Sequence, residues 1–195
     1  MIVYDAVCVI AETAPWHFEA AALADVYWRR AEASPSGLEL TSETLDAWKQ
    51  EARDAVFREW SRELNSSCVG AWTLSAISPV LREWVERGWG ALSYRLVQVL
   101  SGHGCFGSYL HRIGRESAPS CHHCSSQLDT ALHTLVECPA WTSERRPLEG
   151  LLGANNELTL HDLVKMMVAD DAKWGMVAAF CETIMKAKED AERAR

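Results

Sequence analysis

Residues 121–138 read CHHCSSQLDTALHTLVEC, and four of them follow the spacing C-x2-C-x8-H-x4-C: Cys121, Cys124, His133 and Cys138. Zinc prefers four tetrahedral ligands drawn from thiolate and imidazole, and a gap of two residues lets one tight turn aim two cysteine sulfurs at the same ion. The second pair would come from a short helix that Pro139 helps to end. The pattern therefore predicts a small zinc knuckle, in which His122 and His123 are candidate substitute ligands.

Two other interpretations of these residues are open. The chain has seven cysteines and seven histidines, so four unlinked side chains form one alternative. A disulfide between Cys121 and Cys124 is the other. It is disfavoured because nothing in the sequence marks the chain as secreted, and thiols stay reduced inside cells. Zinc is the interpretation that uses all four residues at once.

The composition is typical of a soluble globular protein in a reducing, intracellular compartment. Of the 195 residues, 48% are hydrophobic, which suffices for one good core or two small ones. No apolar run approaches the ~18 residues of a membrane span, and no basic-then-apolar leader opens the chain, so no membrane is expected among its partners. Nine tryptophans fall mostly in helical patterns, which indicates apolar helix faces that need partners inside or outside this chain.

The charge distribution singles out the middle of the chain. A net charge of −8 argues against a protein that wraps nucleic acid by bulk electrostatics. Residues 65–146 nevertheless carry seven basic and six acidic residues, and no Asp or Glu occurs from Gly88 to Arg115. Cationic groups and aromatic rings share this acid-free stretch, which also contains a glycine-punctuated turn at 101–107: Arg95, His103, His111, Arg112 and Arg115, with Tyr94, Phe106 and Tyr109.

This combination of residues predicts a contact with nucleic acid. Cations bind phosphates, aromatic rings stack on bases, and glycines let a backbone come close to a ligand. Arg95 on a helix and His103 in a buried turn fit a structural role equally well. The knuckle itself contains no Lys or Arg, so we expect it to act as a clasp whose flanks, which include Arg145 and Arg146, make the contact.

Hydrophobic periodicity predicts a mainly α fold, with several amphipathic helices packed around a small CCHC zinc knuckle. Thr159 is expected to cap one helix, and Asp170 or Asp171 the last one. The polar tail after Lys186 is expected to fray. Other helices are predicted over residues 15–33, 42–64, 78–87, 92–100, 127–136 and 141–152.

The residues of the glycine turn and the knuckle also resemble those of a known family. They are Gln98, Ser101-Gly102-His103-Gly104-Cys105-Phe106, Tyr109-Leu110, Arg112, Cys121, Cys124, Asp129, His133, Cys138-Pro139, Trp141 and Arg145. Together they look like the C-terminal region of arthropod non-LTR retrotransposon reverse transcriptases, especially of the site-specific elements that insert in ribosomal DNA or telomeric repeats. Ser101 stands where threonine is usual in that family, and Glu12 stands where a glycine is common.

This resemblance implies a division of the chain and a role for it. Residues 1–70 would be a post-thumb helical region, 71–118 a helical linker with the glycine turn, 119–146 the CCHC zinc knuckle, and 147–195 the C-terminal helices. The polymerase and endonuclease domains would lie upstream in the parent protein, so the chain is expected to be non-catalytic by itself. It would position element RNA or target DNA in the nucleus for target-primed reverse transcription, and its Zn²⁺ would be structural.

Two apparent catalytic sets are rejected, and one rival function stays open. Asp170-Asp171 resembles the paired carboxylates of a polymerase palm, but its helical flanks and its position after the knuckle favour helix capping. Cys105 lies two residues from His103, and such neighbours in a turn rarely point at one another as a nucleophile and its base must. The rival is a domesticated, transposon-derived helical module that binds proteins through tryptophan-rich faces and does not bind nucleic acid.

Overall fold

The structure, a computed structural model, describes residues 4–33, 40–67, 69–153 and 158–195. Helices make up most of these ranges and no β-strand occurs within them, which confirms the predicted mainly α fold. The α-helices of the described residues are numbered in chain order: α1 (Tyr4–Ile10), α2 (Trp16–Ala33), α3 (Ser42–Ser66), α4 (Ala71–Ile77), α5 (Leu81–Glu86), α6 (Tyr94–Ser101), α7 (Gly107–Arg112), α8 (Thr142–Leu152), α9 (Leu160–Ala169) and α10 (Asp171–Arg193).

Two predicted helix caps are confirmed. At the start of α9, the Thr159 hydroxyl accepts a hydrogen bond from the Asp162 amide, and the Asp162 carboxylate accepts one from the Thr159 amide, each at 3.1 Å. Asp170 caps α10 by accepting a hydrogen bond from the Lys173 amide at 2.8 Å. These side chains satisfy amides that the first turn of a helix leaves without partners. Asp170 therefore serves as a helix cap.

The helix predicted over residues 127–136 is shorter than its pattern indicates. Helical backbone begins at Ala131 and passes directly into a π-helical turn, His133–Glu137. Residues 127–130 are not helical, because the Asp129 carboxylate is directed into the core, where it accepts a hydrogen bond from the Gly107 amide at 2.8 Å. A tertiary contact thus overrides the local helical pattern.

The prediction that the tail after Lys186 frays is wrong. α10 continues to Arg193, and two buried residues beyond Lys186 form ion pairs with distant segments. Lys188 contacts Asp129, and Glu189 contacts Arg95. The polar residues at this end of the chain are ordered because their charges have partners on distant segments.

One hydrophobic core runs through the described part of the chain. α10 packs against α6, α8 and α9, and α4 packs against α1, α6 and α9. Each of the four predicted segments contributes a fully buried side chain to this core: Trp60, Trp84, Leu135 and Ile184. Cys121 and Cys138 belong to the same cluster. The segment that was predicted to form the knuckle is therefore embedded in the helical core, and the division of the chain into four segments stays a prediction.

α2 lies on the outside of the fold and packs against α3. Phe18 and Ala22 contact the core, and none of the α2 residues is fully buried. Four large apolar side chains of α2, three of them aromatic, stay exposed and are called the outer aromatic face: Trp16, Leu23, Tyr27 and Trp28, with exposed fractions of 75%, 72%, 63% and 61%.

No helix in the described ranges has the length and apolar character needed to cross a bilayer.

Candidate metal centre and the cationic residues around it

Four side chains converge on one point of the core. The ligand atoms of Cys121, Cys124, His133 and Cys138 all lie within 4.8 Å of one another. Cys121 Sγ and Cys138 Sγ are 3.9 Å apart, and Cys124 Sγ lies 3.3 Å from His133 Nε2. Tetrahedral zinc, with sulfur at about 2.3 Å and nitrogen at about 2.0 Å, sets neighbouring ligands roughly 3.5–3.8 Å apart. The residues that the spacing selected therefore form a cluster that can hold one metal ion.

The first two ligands lie on a tight turn whose amides face the sulfurs. The His123 amide lies 3.4 Å from Cys121 Sγ, and the Ser126 amide lies 3.4 Å from Cys124 Sγ. A hydrogen bond of 2.9 Å from the Cys121 amide to the Ser126 carbonyl closes the turn. Because these amides donate toward sulfur, they stabilise the thiolate form that a metal requires.

The second pair of ligands is placed by the π-helical turn. The Cys138 amide donates to the His133 carbonyl at 2.7 Å, which is the five-residue hydrogen bond of a π-helix. The wider turn brings Cys138 back to the same side as His133. His133 Nδ1 lies 3.3 Å from a Glu137 carboxylate oxygen, so a proton on Nδ1 leaves the Nε2 lone pair free for a metal.

Burial controls the protonation of the metal-free thiols. It raises the pKa of the Cys138 thiol to about 12 and also raises the pKa of the Cys121 thiol. Burial acts the same way on Cys124, but hydrogen bonds from the Ser126 amide and the neighbouring thiols bring the pKa of Cys124 below its ordinary value. A bound cation must displace protons from Cys121 and Cys138, which makes metal affinity rise with pH.

Neither the disulfide nor a substitute histidine ligand occurs at the described cluster. Cys121 and Cys124 are free thiols and are not joined in a disulfide. His122 and His123 lie outside the cluster. His122 Nε2 faces a neighbouring carboxylate at 3.4 Å, and the His123 ring packs against the Trp141 ring with centroids 4.7 Å apart. The two histidines inside the first cysteine pair are thus engaged with other side chains.

A buried ion pair ties the loop between Cys124 and His133 to α10, and no local pattern predicted it. The Asp129 and Lys188 side chains are each 3% exposed, and Lys188 Nζ lies 2.9 and 2.7 Å from the two carboxylate oxygens. The same carboxylate accepts hydrogen bonds from the Thr134 hydroxyl at 2.9 Å and the Gly107 amide at 2.8 Å. Asp129 therefore fastens the loop between the two ligand pairs to α7 and α10.

Arg145 lies inside the fold beside the metal-binding turn. It is 4% exposed, its Nε donates to the Leu135 carbonyl at 2.6 Å, and its Nη2 donates to the Cys138 carbonyl at 2.8 Å. Carbonyls at the end of a helical turn have no amide donor within the helix, and here the Arg145 guanidinium donates the missing hydrogen bonds. Arg145 thus stabilises the turn and does not present its charge to a phosphate, whereas Arg146 is exposed.

Two arginines of the acid-free stretch, Arg95 and Arg115, have acidic partners on α10. Arg95 Nη1 lies 2.9 Å from Glu182 and its Nη2 lies 2.7 Å from Glu189. Arg115 Nη2 lies 2.8 Å from Glu192, although the Arg115 side chain stays 65% exposed. The stretch lacks acids in the sequence, yet the fold supplies them, so Arg95 carries a structural ion pair and Arg115 a surface one.

Two of the remaining predicted residues, His103 and Arg112, lie beside the Tyr109 ring. The His103 ring meets the Tyr109 ring edge-on with centroids 4.9 Å apart, and the Arg112 guanidinium lies 5.0 Å from the same ring. Burial chiefly, and the Arg112 charge next, lower the pKa of His103, so this ring is neutral at pH 7. His111 is exposed, with Nδ1 3.1 Å from the carbonyl of Glu116. Arg112 forms no ion pair with any residue that the structure describes.

Comparison with known proteins agrees with the retrotransposon likeness. A region of 97 residues, 50% of this chain, is 28% identical to the Nasonia vitripennis protein described as "Retrovirus-related Pol polyprotein from type-1 retrotransposable element R1 4". The match spans 24% of that polyprotein's length. No protein-family model and no solved structure matches the chain. The chain is therefore similar to part of a retrotransposon polyprotein, as its residues predicted.

Proposed function

We propose that this chain is a zinc-stabilised, non-catalytic C-terminal module of a non-LTR retrotransposon reverse transcriptase of the site-specific kind. In this role it positions element RNA or target DNA for the polymerase. The main support is the Cys₃His cluster set into the core of a chain similar to part of a retrotransposon polyprotein. Its partners are then the upstream polymerase domains and the nucleic acid, and its place of action is the nucleus.

The donor set favours zinc in a structural role. Three thiolates and one imidazole are soft ligands that suit zinc better than hard cations such as magnesium. These four side chains would fill every position of a tetrahedral zinc ion, so none would be left for a reacting water. This agrees with a non-catalytic module.

Exposed cations next to the metal-binding segment support the contact with nucleic acid. Arg112 and Arg146 are exposed and pair with no acid among the described residues. Arg115 is exposed beside one glutamate, and His111 is exposed nearby. Because Arg145 and Arg95 are engaged inside the fold, we place the contact on the other predicted residues. A net charge of −8 restricts such binding to a local interface.

Removing Arg112 and Arg115 tests this proposal. The double variant Arg112→Ala/Arg115→Ala is expected to bind labelled RNA or DNA at least about tenfold more weakly at low salt, because two phosphate contacts are lost. The slope of log affinity against log salt should fall by about two. Fluorescence anisotropy at two salt concentrations measures both quantities.

Arg58→Ala/Arg62→Ala is the matched control. Arg58 forms no described ion pair and Arg62 pairs with one glutamate, as Arg112 and Arg115 do, so the charge change is the same. Both control residues lie on α3, away from the metal-binding segment. An equal loss in the two double variants would reduce the binding to bulk electrostatics and contradict the proposed interface.

The outer aromatic face of α2 favours a second function, the binding of a protein. Its four side chains are large and exposed, and residues of this kind form the buried centres of protein interfaces. The acidic net charge fits this function as well. The module would then dock on the polymerase region or on a host protein and would not bind nucleic acid.

A docking measurement separates the two functions. Trp16→Gln/Tyr27→Gln removes the apolar ends of this face without touching the core, since both side chains are more than half exposed. If the second function is right, this variant loses co-purification with a tagged polymerase region of the matching type-1 element polyprotein, while the wild-type chain binds neither RNA nor DNA. Retained co-purification would reject docking through α2.

A further inference from the structure

A groove of about 550 Å³ opens between α4, the glycine turn and the segment before His133. Its volume lies in the range of about 300–1,000 Å³ that small-ligand sites occupy. No Asp or Glu is among its lining residues, whereas each of four other clefts in the described part of the chain has a carboxylate in its wall. In an acidic chain, this groove is therefore suited to an anionic ligand.

Trp72 forms one wall of the groove and is held in place. Its Nε1 donates to the Val99 carbonyl at 2.9 Å, which fixes the ring. Gly102 lies against the ring with φ +68°, and a Cβ added there would stand 3.2 Å from Trp72 Cδ1. The close approach of the turn to the indole thus favours glycine at this position. The groove has a half-buried aromatic wall whose orientation is set before any ligand arrives.

Cationic and polar groups line the same groove. Arg112 and His103 both lie in its wall, and both side chains contact the Tyr109 ring. His103 Nδ1 is buried and has no hydrogen-bond partner among the described residues, which is uncommon for a buried polar atom. Ser108 also lines the groove. The wall therefore offers the Arg112 charge to a phosphate, beside the aromatic face of Trp72.

The metal-binding segment supplies the remaining wall. Thr130, Ala131 and Leu132 line the groove immediately before the ligand His133. The Thr130 hydroxyl accepts a hydrogen bond from the His133 amide at 3.0 Å, so the position of this wall depends on the position of His133. Leu132 is 43% exposed at the groove. The metal centre thus shapes the groove without itself carrying positive side chains.

We infer that this groove binds single-stranded nucleic acid, with one unstacked base against Trp72 and an adjacent phosphate on Arg112. The inference rests on the proposed function and names the form of nucleic acid and the residues that receive it. Bases in a duplex are stacked on their neighbours, so their faces are hidden from an aromatic wall, whereas a single strand can turn a base outward. Every base can stack on an aromatic ring, so we expect the groove to bind single strands with little sequence specificity.

Photo-crosslinking tests the inference directly. A single-stranded oligonucleotide carrying iodouracil is irradiated with the full chain, and the joined peptide is identified by mass spectrometry. The expected adducts are on Trp72 or His103, which line the groove, and a duplex of the same sequence is expected to give far fewer. Adducts confined to other residues, or a duplex that reacts equally well, would overturn the inference.

Binding of two single variants completes the test. Arg112→Gln and Leu132→Glu are each expected to weaken single-strand binding about tenfold, the first by removing a cation and the second by adding a carboxylate to the groove. Both side chains are exposed, so melting should not change. Arg58→Gln, the matched control, is expected to change affinity less than about twofold.

The outcomes separate the groove from the broader function. If the wild-type chain binds single strands but Arg112→Gln and Leu132→Glu bind equally well, the groove is rejected and the proposed function stands on other residues. If the wild-type chain binds no nucleic acid at low salt, both are rejected.

Discussion

Removal of the metal, by chelation or by Cys138→Ser, is expected to abolish the cooperative folding of residues 115–146 and to loosen α8 and α10. Structural zinc in small peptides supplies about 10–16 kcal/mol of apparent binding free energy, comparable to the whole stability of a domain, about 5–15 kcal/mol. Cys138 and Leu135 lie in the same core as α10, so the loss cannot stay confined to a loop. Cys124→Ser should act in the same direction.

Elemental analysis and hydrogen exchange measure this effect. The purified chain is expected to contain one zinc per molecule, and exchange should accelerate across the metal-binding segment and the helices packed on it after chelation. Cys105→Ser is the control, because Cys105 is a half-buried thiol outside the cluster. A chain that contains no zinc and melts unchanged in a chelator would contradict the metal assignment.

Lys188→Met is expected to destabilise the protein by about 3–5 kcal/mol, because it leaves the Asp129 charge buried without its partner. The pair is 3% exposed on both sides, and the carboxylate also holds the Gly107 amide and the Thr134 hydroxyl. Loss of the ammonium therefore disturbs the loop between the two ligand pairs. Urea unfolding measures the change, and zinc affinity should fall with it.

Two further variants identify the cause. Lys173→Met removes an exposed pair with Asp170, and such surface pairs contribute about 0–1 kcal/mol. Asp129→Asn combined with Lys188→Met removes both charges, so it should recover part of the stability lost in the single variant. If Lys188→Met costs no more than Lys173→Met, the pair is not a buried structural link.

Several features of this protein could be predicted from short stretches of its sequence. The cluster of Cys121, Cys124, His133 and Cys138 was predictable because zinc ligands follow a spacing that one turn and one short helix satisfy. Thr159 and Asp170 were predicted as caps because a cap hydrogen-bonds to an amide only three residues away. The mainly α fold follows from the 3.6-residue period of apolar side chains. Each is a local rule.

The tertiary structure alone decided which charges are free. Arg95 lies in an acid-free stretch, yet Glu182 and Glu189 on α10 neutralise its charge, although they lie 87 and 94 positions further along the chain. Asp129 and Lys188 are 59 residues apart and meet in the core, where they delay the start of one predicted helix and order a tail that was predicted to fray. Coulomb attraction depends on distance in space, and burial strengthens it, so local sequence cannot assign such partners. The sequence by itself therefore determined the Cys₃His cluster that can hold a metal ion and the helical class, whereas the fold determined which predicted cations remain exposed, Arg112 and Arg146 among them.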